Sequence, residues 1–120
     1  MAKNLQISLL LDFYGEMLTE KQRDVVELYY NEDLSLAEIA QHSGITRQGV
    51  RDAIKRAEAQ LLSYEERLGL ARRFRTMQEG LERIATLAAQ INREGRQYGF
   101  TLELSRKTQE IYKLAGSLND

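Results

Sequence analysis

Apolar side chains recur every three or four residues along most of this chain, and that spacing predicts helices from one end to the other. Residues 5–18 form the first predicted helix, whose apolar face consists of Leu10, Phe13, Tyr14 and Met17. Thr19 and Gln22 are spaced as a capping box, which opens a second helix over residues 20–30. Its inward residues are Val25, Val26, Leu28 and Tyr29. The chain has no proline and little that favours long strands, so we predict an all-α fold.

Residues 34–57 carry the most specific pattern in the sequence. Ser35 and Glu38 predict a further capping box, and Gly44 suits the left-handed end of a short helix. Thr46 is a good N-cap for the helix that follows. The inward face of that helix consists of Val50, Ile54, Ala57 and Leu61. Two short helices joined by a glycine turn are typical of a helix-turn-helix, whose second helix lies in the major groove of DNA.

The outward face of that second helix, residues 46–57, is polar and mostly cationic. We predict that DNA is contacted by Thr46, Arg47, Gln48, Arg51, Asp52, Lys55 and Arg56. Arginine and lysine pair with phosphates, and arginine and glutamine each form two hydrogen bonds with a suitable base edge. Two alternatives stay open at this point. Exposed basic residues are common on solvated helix faces, and helix-turn-helix folds also serve as protein-binding surfaces.

From Leu70 onward the apolar residues follow steps of four and three, as in a coiled-coil seam. The seam residues are Leu70, Phe74, Met77, Leu81, Ile84, Ala88 and Ile91. A single long helix cannot bury such a stripe, so it either pairs with a second chain as a homodimer or folds back on the preceding domain. We predict a helix-turn-helix domain over residues 1–64 and a dimerisation segment over residues 65–120, with a bend at Gly69.

The C-terminal part of the chain is predicted to form one more, shorter helix. Gly95 and Gly99 bracket a break, and residues 102–117 have helical spacing again. The apolar stripe of this helix consists of Leu104, Ile111, Ala115 and Leu118. That stripe either docks on the long helix or belongs to a frayed tail.

The composition of the chain argues against several kinds of chemical site. There is no cysteine, and the one histidine, His42, ends a short helix, where a protonated imidazole interacts favourably with the helix dipole. No phosphate-binding glycine loop and no nucleophile paired with a histidine is present, so we expect no enzymatic activity, cofactor or metal site. No apolar run approaches membrane-spanning length and no signal peptide precedes the domain, so we expect a cytoplasmic protein without membrane insertion.

The formal net charge is only −1, but the charges are unevenly distributed. Residues 1–34 hold three basic and seven acidic side chains, whereas residues 35–60 hold four basic and three acidic ones. A single copy with so few cations should bind DNA weakly and with a shallow dependence on salt. Two copies are needed for useful affinity, which favours the homodimer.

Residues 18–30, with the sequence LTEKQRDVVELYY, and the following residues 34–55 resemble the promoter-reading region four of bacterial sigma factors. With the apolar first helix and the long C-terminal helix added, the chain is similar to the YlxM family, small bacterial helix-turn-helix proteins associated with the signal recognition particle. The sigma resemblance implies that bases and phosphates are faced by Arg47, Gln48, Arg51 and Asp52. Gly49 and Asp52 depart from the sigma pattern, in which a basic residue and an amide are common at these positions.

Two functions follow from these observations. The first is a homodimeric DNA-binding regulator, accessory to the signal recognition particle pathway, with half-sites about one helical turn apart. The second is a protein or ribonucleoprotein adaptor that binds components of the signal recognition particle without reading a DNA sequence. The acidic first 34 residues favour the adaptor. Direct RNA binding has no motif in its favour, because no aromatic stacking platform is evident.

Overall fold

The computed structural model of the protein describes residues 2–119. Over this part of the chain the structure contains helices and turns and no strand, which confirms the predicted all-α fold. The helices are α1 (Leu5–Tyr14), α2 (Glu20–Tyr30), α3 (Leu36–Ser43), α4 (Arg47–Leu68), α5 (Leu70–Gln97) and α6 (Leu102–Asn119). A short 3₁₀ turn, Gly15–Met17, follows α1.

The chain divides into two compact units, which meet between Ala71 and Arg72. The sequence pattern places its boundary earlier, after residue 64. The difference has a structural origin, because α4 continues without interruption to Leu68 and Ala71 still packs in the core of the first unit. The predicted bend at Gly69 is confirmed, since this residue ends α4 in the left-handed conformation, with φ 64°.

The core of the first unit is built along the inward face of α4. Towards the N-terminal end of this helix, Val50 and Ile54 pack with Ile39 of α3 and with α2 residues in one buried cluster. Further along, Ala57 and Leu61 join a second cluster with α1. A helix buried along one stripe at this spacing is fixed by burial of apolar surface, which is the largest favourable term in folding.

The local sequence explains where these helices begin and end. Both predicted capping boxes are present, at Thr19 and Gln22 and at Ser35 and Glu38. The Ser35 amide donates to Glu38 Oε1, and the Ser35 hydroxyl oxygen accepts from the Glu38 amide. Hydrogen bonding by Ser35 holds the pKa of the Glu38 carboxyl below its usual range. Gly44 adopts the left-handed conformation at the end of α3, with φ 69°. This residue type reaches that conformation without steric cost.

The predicted apolar face of the first helix is wrong at one position. Leu10 and Tyr14 are buried, and Phe13 is half-buried, but Met17 is 52% exposed. The 3₁₀ turn that begins at Gly15 changes the helical register, so that Met17 no longer follows the α1 face. Ile7 lies on the buried face instead.

Side chains of α1 and α4 hold the start of α5. The hydroxyl of Tyr14 donates to Glu65 Oε1 at 2.6 Å and accepts from the amide of Leu70 at 3.1 Å. The amide of Ala71 donates to the same carboxylate oxygen at 3.0 Å. The first free amides of α5 are therefore satisfied by other helices of the first unit.

The second unit is an antiparallel hairpin of α5 and α6. The side-chain amide of Asn92 donates to Thr108 Oγ1 at 2.8 Å, and at the far end Asn119 donates to Glu82 at 3.4 Å. The buried residues of the unit are small or polar: Ala88, Asn92, Thr108 and Ala115. A Cβ atom at Gly95 would collide with the ring of Phe100, so only glycine permits this close reversal of the chain.

The predicted apolar stripe of the C-terminal helix does not form the contact with α5. Ala115 is buried, but the other three members are exposed: Leu104, Ile111 and Leu118. Asn92 prefers hydrogen-bonding partners, and Thr108 supplies one, so the inward face of α6 is turned towards Thr108 and Ala115. The apolar stripe therefore lies beside the helix contact.

Candidate nucleic-acid interface

The helix-turn-helix consists of α3, the turn at Gly44 and Ile45, and the first half of α4. The amides of Gly44 and Ile45 both donate to the carbonyl of Ala40, which closes the end of α3. Thr46 then caps α4, accepting from the amide of Gly49 at 2.9 Å. Because Val50 and Ile54 are fully buried against the rest of the unit, the opposite face of α4 is directed outward.

The structure brings the predicted contact residues together on this outward face. All seven are exposed: Thr46, Arg47, Gln48, Arg51, Asp52, Lys55 and Arg56. Within residues 2–119, none of the four basic side chains takes part in a salt bridge. With four cations and one carboxylate, this surface has a net charge of +3. We call it the basic face of α4.

The start of α4 differs from the starts of α2 and α3. Those helices have an acidic residue in their first turn, Glu20 and Glu38 respectively, which interacts favourably with the positive end of the helix dipole. The first turn of α4 has no acidic residue and begins with Arg47. A cation at this end is unfavourable for the isolated helix. An external anion would relieve that repulsion, and helix N-termini bind phosphate groups readily.

Asp52 is not left without a partner on this cationic surface. The side-chain amide of Gln48 donates to Asp52 Oδ1 at 3.0 Å, across one helical turn. Gln48 keeps its carbonyl oxygen and a second N–H for other contacts. Sequence reasoning missed this bond, although the spacing of four residues is one at which helical side chains meet.

Gly49 lies between Arg47 and Arg51 and has no side chain to offer. A Cβ atom there would lie 3.1 Å from the Thr46 hydroxyl oxygen and 3.7 Å from Ile45 Cδ1. A small side chain at this position would therefore fit only if its neighbours moved slightly.

The predicted seam residues of α5 have different surroundings. Ala88 is buried within the hairpin, and Leu81 is half-buried. The others are exposed: Leu70, Phe74, Met77, Ile84 and Ile91. Leu87, which is not a seam position, is exposed as well. Most of the predicted seam is therefore exposed, but where α6 covers Ala88 the exposed apolar face extends to Leu87 instead.

Residues 2–119 contain neither of two other kinds of site. No group of three or more histidine, cysteine, aspartate or glutamate side chains is arranged to hold a metal ion. No helix in the same range is both long and apolar enough to cross a membrane.

The chain matches the family model described as "Putative helix-turn-helix protein, YlxM / p13 like" over residues 1–99. The chain belongs to this family. A UPF0122 protein of Clostridium kluyveri is 52% identical over 79 residues, which cover 66% of this chain and 71% of that protein. A UPF0122 protein of Desulforamulus reducens is 50% identical over 82 residues, covering 68% and 70% of the two chains. A UPF0122 protein of Geobacillus kaustophilus is 39% identical over 112 residues, covering 93% and 96%.

The YlxM / p13-like match includes the whole helix-turn-helix and all of α5. It ends at residue 99, just before α6. The family description agrees with the geometry of α3 and α4, and it is a helix-turn-helix description rather than that of an enzyme family.

Proposed function

We propose that this YlxM-like protein is a homodimeric DNA-binding regulator whose α4 reads the major groove. The observation that carries the proposal is the basic face of α4, which is exposed and free of salt bridges on a helix anchored by Val50 and Ile54. An α-helix fits the width of the major groove, and its outward side chains then reach base edges and phosphates.

The individual side chains have different parts in this proposal. Arg47 and Arg51 are one helical turn apart, so both point to the same side of α4. Either guanidinium can form two hydrogen bonds with a guanine, and Gln48 can pair with an adenine. Lys55 and Arg56, further along the helix, suit phosphate contacts, which position a protein on the duplex without reading its sequence.

DNA fragments selected from genomic DNA by the purified protein should be titrated by fluorescence anisotropy over a range of salt concentrations. We expect Arg47→Ala with Arg51→Ala to abolish specific binding. The dependence of binding on salt should also become shallower, because each phosphate contact contributes about 0.9 to the slope of log K against log salt.

The control removes the same number of positive charges elsewhere, with Arg67→Ala and Arg106→Ala, both exposed positions. This variant should keep nearly the wild-type affinity and sequence preference. If the two double variants bind selected DNA equally well, the basic face of α4 is not the DNA-binding surface.

The homodimer in this proposal depends on the exposed seam residues of α5, above all Met77, Ile84 and Ile91. Light scattering of the native protein should show a dimer at micromolar concentration. Met77→Asp with Ile84→Asp should give monomers, because each charge would be buried in the interface. Both positions are exposed in the single chain, so these substitutions leave its core intact. A native protein that is monomeric at high concentration would rule the dimer out.

A second candidate function is a protein adaptor in the signal recognition particle pathway. The exposed apolar side chains of α5 and α6 favour it, because surfaces of this kind commonly bind proteins. A pull-down from bacterial lysate, repeated after nuclease treatment, separates the two functions. Signal recognition particle components that stay bound after nuclease treatment, and that also bind the Arg47→Ala variant, would support the adaptor over the DNA-binding regulator.

A further inference from the structure

One row of side chains on α5 has the properties of a self-complementary surface. Its members follow steps of four and three: Arg73, Met77, Gly80, Ile84, Leu87, Ile91 and Glu94. All seven are exposed in the single chain. Within residues 2–119, neither Arg73 nor Glu94 forms a salt bridge. The row has opposite charges at its two ends and apolar residues between them.

The order of residues in this row distinguishes the two ways in which two copies can meet. In a parallel pair each residue faces its own counterpart, so Arg73 would face Arg73 and Glu94 would face Glu94. Gly80 would then face Gly80 and leave a gap. In an antiparallel pair centred on Ile84, Arg73 faces Glu94, Met77 faces Ile91 and Gly80 faces Leu87.

Gly80 supports the antiparallel arrangement. A Cβ atom at this position would have nothing within 4 Å, so no contact inside the chain explains the glycine. Glycine within a helix costs about 1 kcal/mol relative to alanine. Opposite Leu87 of a second copy, the missing side chain makes room for a leucine and lets the two helices come close.

The second helix of the hairpin fits the same axis. Hydrogen bonds of Asn92 with Thr108 and of Asn119 with Glu82 place Ile84 level with Gly116 of α6. Ile111 and Leu118, both exposed, lie on either side of that level. At 1.5 Å per residue, both side chains therefore lie within about 8 Å of an axis through Ile84, where a second copy can cover them.

The apolar row of α5 consists of Met77, Ile84, Leu87 and Ile91, and that of α6 consists of Leu104, Ile111 and Leu118. Both rows lie on one side of the hairpin. A groove between α5 and α6 marks the other side, and its polar lining includes Glu82, Arg93 and Lys113. No member of the apolar rows lines that groove. One partner can therefore cover both rows at once.

The apolar area exposed by the two rows is close to what an interface with a second copy requires. A side chain whose full burial is worth 1.5–3 kcal/mol at 25 cal/mol per Å² has roughly 60–120 Å² of apolar area. Seven half-exposed apolar side chains then offer roughly 200–400 Å² of apolar area. They are Met77, Ile84, Leu87 and Ile91 of α5 and Leu104, Ile111 and Leu118 of α6. A standard interface of about 800 Å² per partner is only about 60% apolar, so it needs roughly 480 Å². The α5 row alone falls well short of this, whereas both rows together approach it.

We propose that α5 packs antiparallel on α5 of a second copy, with Ile84 at the twofold axis, and that the α6 rows complete a four-helix bundle. The arrangement is isologous, as a twofold axis requires, because every pair of facing residues occurs twice, apart from the single Ile84 pair on the axis. The inference rests on the dimer of the proposed function and not on its DNA contacts.

Charge exchange tests the direction of pairing without DNA. We expect Arg73→Glu alone and Glu94→Arg alone each to weaken the dimer about tenfold in sedimentation equilibrium, because each creates two like-charge pairs. An equimolar mixture of the two variants should recover dimers, since both facing pairs are then opposite in charge. The antiparallel arrangement would be overturned if neither single substitution weakened the dimer, or if each variant dimerised by itself while the mixture formed no mixed dimers.

Matched controls use exposed charges on the other sides of α5. Arg93→Glu and Glu79→Arg make the same changes of charge away from the row and should leave the dimer unaffected. Circular dichroism of every variant checks that the helices are intact.

The absence of native cysteine allows a second test by oxidation. Arg73→Cys mixed with Glu94→Cys should form a disulfide between the two variants, whereas Arg73→Cys alone should form none, because its two copies lie about 33 Å apart along the helices. Self-linking of Arg73→Cys would show parallel pairing. Failure of selected DNA to bind, with this cross-linking pattern intact, would remove the DNA-binding function and leave the dimer geometry standing.

Discussion

The two units of this protein bury their apolar side chains to different extents. The first unit buries large side chains completely, among them Ile7, Ile39 and Ile54. Over the described part of the second unit, the buried residues are two alanines, an asparagine and a threonine, while many large apolar side chains remain exposed. Apolar burial is the main driving force of folding, so the first unit has the core of an independent domain, whereas the second leaves exposed the apolar surface that our proposal assigns to a second copy.

The largest expected difference between the units concerns one isoleucine in each. Ile54→Ala should lower the free energy of unfolding by about 2–5 kcal/mol, because Ile54 has no exposed surface and its loss leaves a cavity. Ile84 is 46% exposed, so Ile84→Ala should change the unfolding of dilute, monomeric protein by less than about 0.5 kcal/mol. Urea unfolding followed by circular dichroism measures both.

A milder substitution keeps the comparison measurable if Ile54→Ala unfolds the first unit completely. Ile54→Val should cost about 0.5–1.5 kcal/mol. The comparison between the units would fail if Ile84→Ala destabilised the dilute protein as much as Ile54→Ala does. At high concentration Ile84→Ala should instead weaken self-association.

An intermediate effect is expected at the polar centre of the hairpin. Asn92→Ala removes the donor to Thr108 and to Ser105, and we expect it to destabilise the second unit by about 1–3 kcal/mol. Gln90→Ala, at an exposed position on the same helix, serves as the control. Equal thermal unfolding curves for the two variants would show that the buried hydrogen bonds do not hold the hairpin together.

The smallest expected effect is a dependence on pH in the first unit. Bonds from Ser35 lower the pKa of Glu38 in the folded protein below its ordinary value near 4.5. The stability from this carboxylate is therefore fully present above about pH 4.5 and is lost as the pH falls through the folded-state pKa. Glu38→Gln, which keeps the capping geometry, should remove this part of the acid dependence. An unchanged profile of unfolding free energy between pH 3 and pH 5 would contradict the prediction.

The features that the sequence predicted correctly are local ones. The capping boxes, the turn at Gly44 and the bend at Gly69 depend on residues within one or two turns of each other, so their chemistry can be recognised in the chain itself. The exposure of the contact residues on α4 follows from the same helical spacing that predicts Val50 and Ile54 to be buried.

One of the features that were missed depends on a partner more distant in sequence, and the other two are local. The face that α6 turns towards α5 is set by the bonds of Asn92 with Thr108, and helical spacing alone favoured the apolar residues instead. Met17 leaves the α1 face because Gly15 begins a 3₁₀ turn, which a pattern with a period of 3.6 does not anticipate. The bond between Gln48 and Asp52 was within reach of the spacing rules, but those rules do not say which of several neighbours a polar side chain selects.

The bonds of the Tyr14 hydroxyl and the Glu65 carboxylate favour an order of folding in which α1 packs on α4 before the first turn of α5 becomes stable. The amide of Leu70 finds its acceptor, the Tyr14 hydroxyl, only after α1 has packed against α4, whereas the amide of Ala71 bonds to Glu65 at the end of α4 itself. Until then the leading end of α5 lacks a cap, and helix initiation there is costly. We therefore expect the first turn of α5 to become stable only after α1 has packed on α4.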